Sequence, residues 1–161
     1  MMQYPKYKKV LFCADFSENS DYAFDFAYSI AKRDEGLLYI LHVIPEDPNQ
    51  IYMRNMLDIE EIRKIQKGIQ EDMNNKYKER YVKKMDNGIK YEIVTKSGRE
   101  DAEILKFAKD EKVDIIVMGT HGRTGIEHVI FGSDAEKVLR QSPFPVLIIP
   151  SGEKLKGSQG R

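Results

Sequence analysis

The chain has 161 residues, the size of one domain with a sizeable core, and its 26 Lys and Arg balance 26 Asp and Glu for a formal net charge of zero. A general polyanion binder carries a positive excess, so the balance argues against nucleic acid as a partner. A single cysteine leaves no internal disulfide framework, and no segment approaches the ~20 apolar residues of a membrane span.

The opening residues, MMQYPKYKKVLF, lack the apolar stretch of a signal peptide, and the expectation is a cytoplasmic protein in a reducing compartment. Lys8 to Ala14 reads as a short buried strand, with Cys13 as a small buried hydrophobe in it. A helix follows from Ser17 to Arg33. Ala23, Phe26, Ala27, Ile30 and Ala31 share its inner face, Ser17 or Asn19 caps it, and Gly36 stops it. Leu37 to Ile44 is a second apolar strand, closed by Pro45 and Pro48. A long loop then runs from Pro45 to Leu57, of a length often tied to function.

Asp58 to Met85 reads as one long, polar helix with a narrow stripe of Ile59, Ile62, Ile65, Ile69, Met73, Tyr77 and Tyr81. Its Lys/Glu-rich stretch from Lys64 to Lys84 is most simply a solvated face. Asn87-Gly88 marks a turn, and Ile89 to Lys96 alternates as an edge strand does. Ser97-Gly98-Arg99-Glu100 matches a capping box, opening a helix to about Asp110 with Ile104, Leu105 and Ala108 inward. Val113 to Met118 is a fourth strand, Ser133 to Ser142 a last helix, and Pro145 to Pro150 a last strand.

Strands alternating with helices predict an α/β fold with a parallel sheet and helices on both faces. Residues 1–150 are expected as one domain and the polar segment 151–161 as a mobile tail. In such a sheet a ligand sits outside the carboxyl ends of the strands, where strand order reverses. If the first and fourth strands are neighbours, Asp15 and Gly119 face one crevice.

The stretch GTHGRTGIEHVIFGS, from Gly119 to Ser133, follows the fourth strand. Gly119 and Gly122 would let backbone amides approach an anion, and Gly132-Ser133 opens a helix whose free amides and dipole suit phosphate. Arg123 adds charge. Against this, Ser133-Asp134-Ala135-Glu136 is itself a capping box, and Asp15 could simply cap the first helix. No P-loop string occurs, and Gly119-Thr120-His121-Gly122 lacks the G-x-G start of a dinucleotide fingerprint. The three histidines, His42, His121 and His128, lack metal-ligand spacing; His42 reads as a strand residue, and His121 is placed to touch a phosphate.

Taken together, these stretches resemble the universal stress protein family, of the UspA-like, ATP-binding type. VDIIVMGTHGRTGIEHVIFGSDAEKVLRQSPFPVLIIP is similar to its C-terminal half and carries its Gly-x2-Gly-x9-Gly-Ser/Thr pattern as Gly119, Gly122, Gly132 and Ser133. KKVLFCADFSENSDYAFDFAYSIA is similar to its opening strand, Asp-containing loop and first helix. The resemblance covers about residues 6 to 150. It implies a three-layer open sandwich, adenine nucleotide alpha hydrolase-like, with a five-stranded parallel sheet in the order 3-2-1-4-5. It also implies a homodimer through the last strand, Val146–Ile149.

The nucleotide-binding set it implies is Ala14, Asp15, Val43, Met118, Gly119, His121, Gly122, Arg123, Gly132, Ser133 and Asp134. Asp15 would take the ribose or the adenine edge, Val43 would pack on adenine, Gly119 and Gly122 would line ribose and phosphates, and Gly132 and Ser133 would hold the distal phosphates. Mg2+ or Mn2+ would bridge those phosphates. Cys13-Ala14 departs from the residues that nucleotide-binding members often carry there, while Asp15 keeps its place. The reading is an ATP-binding regulator of the stress response, with unidentified protein partners and at most slow hydrolysis, since no general base and no P-loop lysine is visible. The alternatives are a ligand-free homodimeric scaffold and a hydrolase of the same fold.

Overall fold

Short apolar runs form the strands, and the amphipathic stretches between them form the helices that cover the sheet. The computed structural model describes residues 4–46, 55–120 and 132–150. In chain order the elements are β1 (Lys9–Cys13), α1 (Glu18–Arg33), β2 (Leu37–Ile44), α2 (Ile59–Arg80), β3 (Lys90–Ser97), α3 (Glu100–Glu111), β4 (Ile115–Gly119), α4 (Ser133–Gln141) and β5 (Val146–Ile149). The five strands are parallel in the order β3-β2-β1-β4-β5.

Alternation along β1 divides the core. Val10 and Phe12 pack with Ala23, Phe24, Ala27, Met73 and Tyr77 of α1 and α2. Leu11 and Cys13 pack with Ile104 and Ala108 of α3 and Ala135 and Val138 of α4. Helices therefore cover both faces, which makes the expected three-layer sandwich. The strands are legible because a parallel strand between two helical layers is apolar on both sides. Residues 38–43 of β2 are all buried.

Four local expectations are corrected. The third helix does not open on a Ser97 capping box. Ser97 instead ends β3, pairing with Ile44, and the Gly98 amide donates to the Ile44 carbonyl at 3.0 Å. The helix starts two residues later, after Arg99, with no side-chain cap. On α1 the large inward ring is Phe24, 1% exposed, whereas Phe26 is 38% exposed. Gly36 is not the left-handed stop: that turn is made by Glu35 at φ 50°, and a Cβ on Gly36 would lie 2.6 Å from the Tyr7 carbonyl oxygen. The long polar helix ends at Arg80, followed by a 3-10 turn at Val82–Lys84. Its N-cap is Asp58, in a complete capping box with Glu61. Only the C-terminal part of its stripe reaches the core, through Met73, Tyr77 and Tyr81; Ile59, Ile65 and Ile69 are exposed. The greater part of the Pro45–Leu57 loop, and the segment 151–161, lie outside the described residues.

Candidate functional site

The chain leaves β1 through α1 toward β2 and leaves β4 through α4 toward β5, so strand order reverses between these two neighbours. Val10, Leu11 and Phe12 pair with Ile115, Ile116 and Val117. The divergent exits open a crevice of about 290 Å3 at the carboxyl ends of the strands. Cys13, Val43, Met118 and Ala135 give it apolar walls. Asp15, Glu100, Thr120, Ser133 and Asp134 are among its polar lining, and Gly119 and Gly132 its closest backbone.

The exit of β1 is tightly bound. The Ala14 amide donates to the Leu41 carbonyl at 2.7 Å. The Ala14 carbonyl lies 2.7 Å from Nδ1 of His42, and because a carbonyl only accepts, Nδ1 carries the proton. Ser17 caps α1, its hydroxyl accepting from the Ser20 amide at 3.1 Å. Asp15 is therefore not the cap. Its carboxylate accepts from the Ser17 amide at 2.9 Å, an Asx turn two residues long, while its amide donates to Ser20 Oγ at 3.2 Å. Between them Phe16 is held at φ 62°, a left-handed conformation that costs a bulky residue energy and clusters at functional sites. Its ring is fixed by His42, Tyr77 and Tyr81, with centroids 4.7, 5.2 and 5.9 Å away. The Ser20 hydroxyl also lies 3.3 Å from the Tyr81 hydroxyl, which ties the turn to the end of α2.

At β4 the glycine has a close neighbour. A Cβ on Gly119 would come within 2.6 Å of Asn19 Nδ2 and 3.1 Å of its Cγ. The close approach of α1 is therefore one reason for a glycine at this position, which also lines the crevice. Next to it, the Thr120 amide donates to the Ile149 carbonyl at 3.0 Å, and the Thr120 carbonyl accepts from the Gly132 amide at 2.6 Å. The strand's end and the next helix's start thus meet at one point.

That helix, α4, has Gly132 at its N-cap with no side-chain cap, so Ser133 is its first helical residue. The Ser133 capping box does not form. Since the Gly132 amide is taken by Thr120, the amides free of intrahelical partners at this tip are those of Ser133, Asp134 and Ala135. They and the helix dipole make a seat for negative charge beside the Ser133 hydroxyl. Asp134 is paired with Lys137 at 3.7 Å.

Of the residues proposed from sequence, Asp15, Val43, Met118, Gly119, Gly132, Ser133 and Asp134 line this one crevice. Ala14 does not: it is buried on the α1–α2 face, in contact with the site only through its neighbours. His121, Gly122 and Arg123 lie outside the described residues. Ser20, His42, Pro45, Glu100, Thr120 and Ala135 line the crevice without having been proposed. Glu100 was findable, because a residue opening a helix after a parallel strand lies by construction at the carboxyl end of the sheet. Cys13 forms part of the crevice floor. Burial first, then the charges of Glu100 and Asp15, raises its thiol well above the ordinary range, so it behaves as a hydrophobe and not as a nucleophile. Among the described residues no group of three or more His, Cys, Asp or Glu is placed to hold a metal.

The sheet order, the helices on both faces and the likeness to solved structures reported below place the fold in the adenine nucleotide alpha hydrolase-like class of α/β proteins. Within it, the chain belongs to the universal stress protein family, whose model matches residues 6–150. It is 34% identical over 157 residues to the universal stress protein MJ0577 of Methanocaldococcus jannaschii, covering 89% of this chain and 94% of that one. The solved structure of MJ0577 superposes with a TM-score of 0.72 at 33% identity, covering 91% of this chain and 97% of that chain. A universal stress protein solved in complex with cAMP, at 24% identity and a TM-score of 0.59, covers 90% of this chain and 98% of its own. One from Archaeoglobus fulgidus in complex with dAMP, at 22% identity and 0.54, covers 90% and 99%. The last two bear on the fold.

Proposed function

We propose that this chain is a nucleotide-binding regulator of the stress response that holds ATP in the crevice between β1 and β4. The observation that carries the reading is the uncapped tip of α4: three amides and the Ser133 hydroxyl meet the strand ends where Asp15 and Val43 also converge. In this assignment Ser133, with Gly132 shaping the turn, holds the distal phosphates. Asp15 takes the ribose and Val43 packs on the base. Met118, Gly119 and Asp134 are further lining residues of the proposed site, and His121, Gly122 and Arg123 belong to the proposed set on the resemblance alone.

Mg2+ or Mn2+ would enter with the nucleotide, held chiefly by phosphate oxygens, as is usual where the protein offers few carboxylates of its own. None of the described lining residues is lysine or arginine, and a seat of amides and a hydroxyl favours holding over cleaving. That cAMP and dAMP occupy proteins of the same fold agrees with an adenine ligand. β5 is a sheet edge with partly exposed apolar residues, which supports homodimerisation through Val146–Ile149. No helix among the described residues is long and apolar enough to cross a membrane, and the cytoplasm is the proposed compartment.

Mass spectrometry of the purified protein for bound ATP tests this, with a thermal shift on adding magnesium and ATP. Saturation at 100 times Kd stabilises by about 2.7 kcal/mol. Asp15→Ala is expected to reduce the shift from adenosine more than that from inorganic triphosphate. No bound nucleotide and no shift at millimolar ATP would favour a ligand-free scaffold, and many turnovers of ADP per protein would favour a hydrolase.

A further inference from the structure

The crevice has two ends of unlike chemistry. At one, α4 presents free amides, and the acids of its first turn, Asp134 and Glu136, are paired with Lys137 and Arg140 of the same helix at 3.7 and 3.0 Å. At the other, α3 presents a first turn of Glu100, Asp101 and Glu103, in which Asp101 is paired with Arg99, and the carboxylates of Glu100 and Glu103 offset that helix's dipole and disfavour phosphate. A ligand with an anionic chain therefore lies with its phosphates toward α4 and its other end toward α3. The position of that end is set by the backbone: the Gly98 amide is bonded to the carbonyl of Ile44, so α3 begins beside the residue that follows Val43. Arg99 Nε and the buried Asp101 carboxylate are joined at 2.8 Å, and Glu100, between them in sequence, lines the crevice. Cys13 feels its charge.

We propose that Glu100 is a base-specificity residue, its carboxylate accepting a hydrogen bond from the exocyclic 6-amino group of a purine seated against Val43 and Cys13. This rests on the nucleotide reading above and adds to it the selection of one purine over another. An ionised carboxylate can only accept. Adenine offers an N–H there. Hypoxanthine and guanine present a 6-oxo group, whose lone pairs face the carboxylate and leave it desolvated without a donor. Glu100 also interacts with other groups of the chain, and a carboxylate with about four acceptor positions accommodates both a protein partner and a ligand N–H.

The test compares ATP with ITP, and adenosine with inosine, by calorimetry on the full chain and on Glu100→Gln. The wild type is expected to prefer the 6-amino ligand by about tenfold or more, in both pairs, as hydrogen bonds to charged groups give. Glutamine keeps the shape but can donate to a 6-oxo group, so Glu100→Gln should bring ATP and ITP to within about threefold while its melting transition stays cooperative. Equal affinity in the wild type, or undiminished preference in Glu100→Gln, overturns the role of Glu100 while leaving nucleotide binding intact. Binding of neither ATP nor ITP by the wild type overturns the nucleotide reading and this inference with it. The adenosine–inosine pair needs no variant, so poor folding of Glu100→Gln does not shelter the proposal.

Discussion

Gly119→Ala puts one methyl group where the structure has the amide of Asn19. The new carbon would lie 2.6 Å from Nδ2, 3.1 Å from Cγ and 3.4 Å from the Asn19 carbonyl oxygen. The first two atoms belong to a side chain that can swing away, but doing so breaks its 3.4 Å bond to Thr120 Oγ1, and the backbone of α1 cannot follow. Overpacking of this kind costs about 1–3 kcal/mol, which for a chain of this length lowers Tm by roughly 2–12 °C. The clash has one named partner, so the loss should be recoverable. In Asn19→Ala the methyl has room, and the double variant should be more stable than the sum of the two single losses, with a coupling of about 1 kcal/mol or more. Urea or thermal unfolding of the four proteins measures it. Gly119→Ala with parental stability, or a double variant with additive losses, would refute the argument that α1 constrains this glycine.

Ser133→Ala should leave Tm within about 2 °C, because Ser133 does not cap its helix, yet weaken ATP; a loss near 1 kcal/mol, usual for a true N-cap, would contradict the geometry. The Arg33 guanidinium, at 2.8 Å, and then the Tyr7 amide hold the Asp34 carboxyl well below the usual carboxylate range. A depressed folded value stabilises above the unfolded pKa of about 3.9 and fades as pH falls through the folded one. Asp34→Asn should thus lower Tm at pH 7, with the deficit narrowing below about pH 4; a deficit independent of pH refutes this. Cys13 should resist iodoacetamide at pH 8 in the native protein and react at an ordinary rate in denaturant, read by intact mass.

The sheet was readable because its central strands are uninterrupted apolar runs, and Val10, Leu11, Phe12 and their neighbours on β2 and β4 are buried on both sides. Where local motifs competed with the ladder, the ladder won. Ser97 has the spacing of a cap, but its backbone pairs with Ile44. On α2 the period identified a helix, yet periodicity carries no information on how far a helix extends past the sheet, and Ile59 is 72% exposed. Part of the crevice lining was legible from position in the alternating pattern, with Asp15 just after β1 and Ser133 opening α4. His42 escaped because it reaches the crevice through tertiary placement: it precedes Val43 on β2, and its role appears only once β1 lies alongside to offer the Ala14 carbonyl. The packing constraint on Gly119 was not legible, since its neighbour Asn19 lies a hundred residues away in the chain.

The central strand pair joins Val10 to Ile115. On a ribosome that emits roughly 5–20 residues per second, the first half of the pocket waits several seconds for the second. Until the stretch around residue 119 emerges, β1 has an open flank, and so long-range a pairing forms slowly. A fragment truncated before β4 would have Asp15 and Val43 but nothing to seat a phosphate. Completion of the crevice therefore waits on the C-terminal third of the chain, which supplies β4 and the tip of α4.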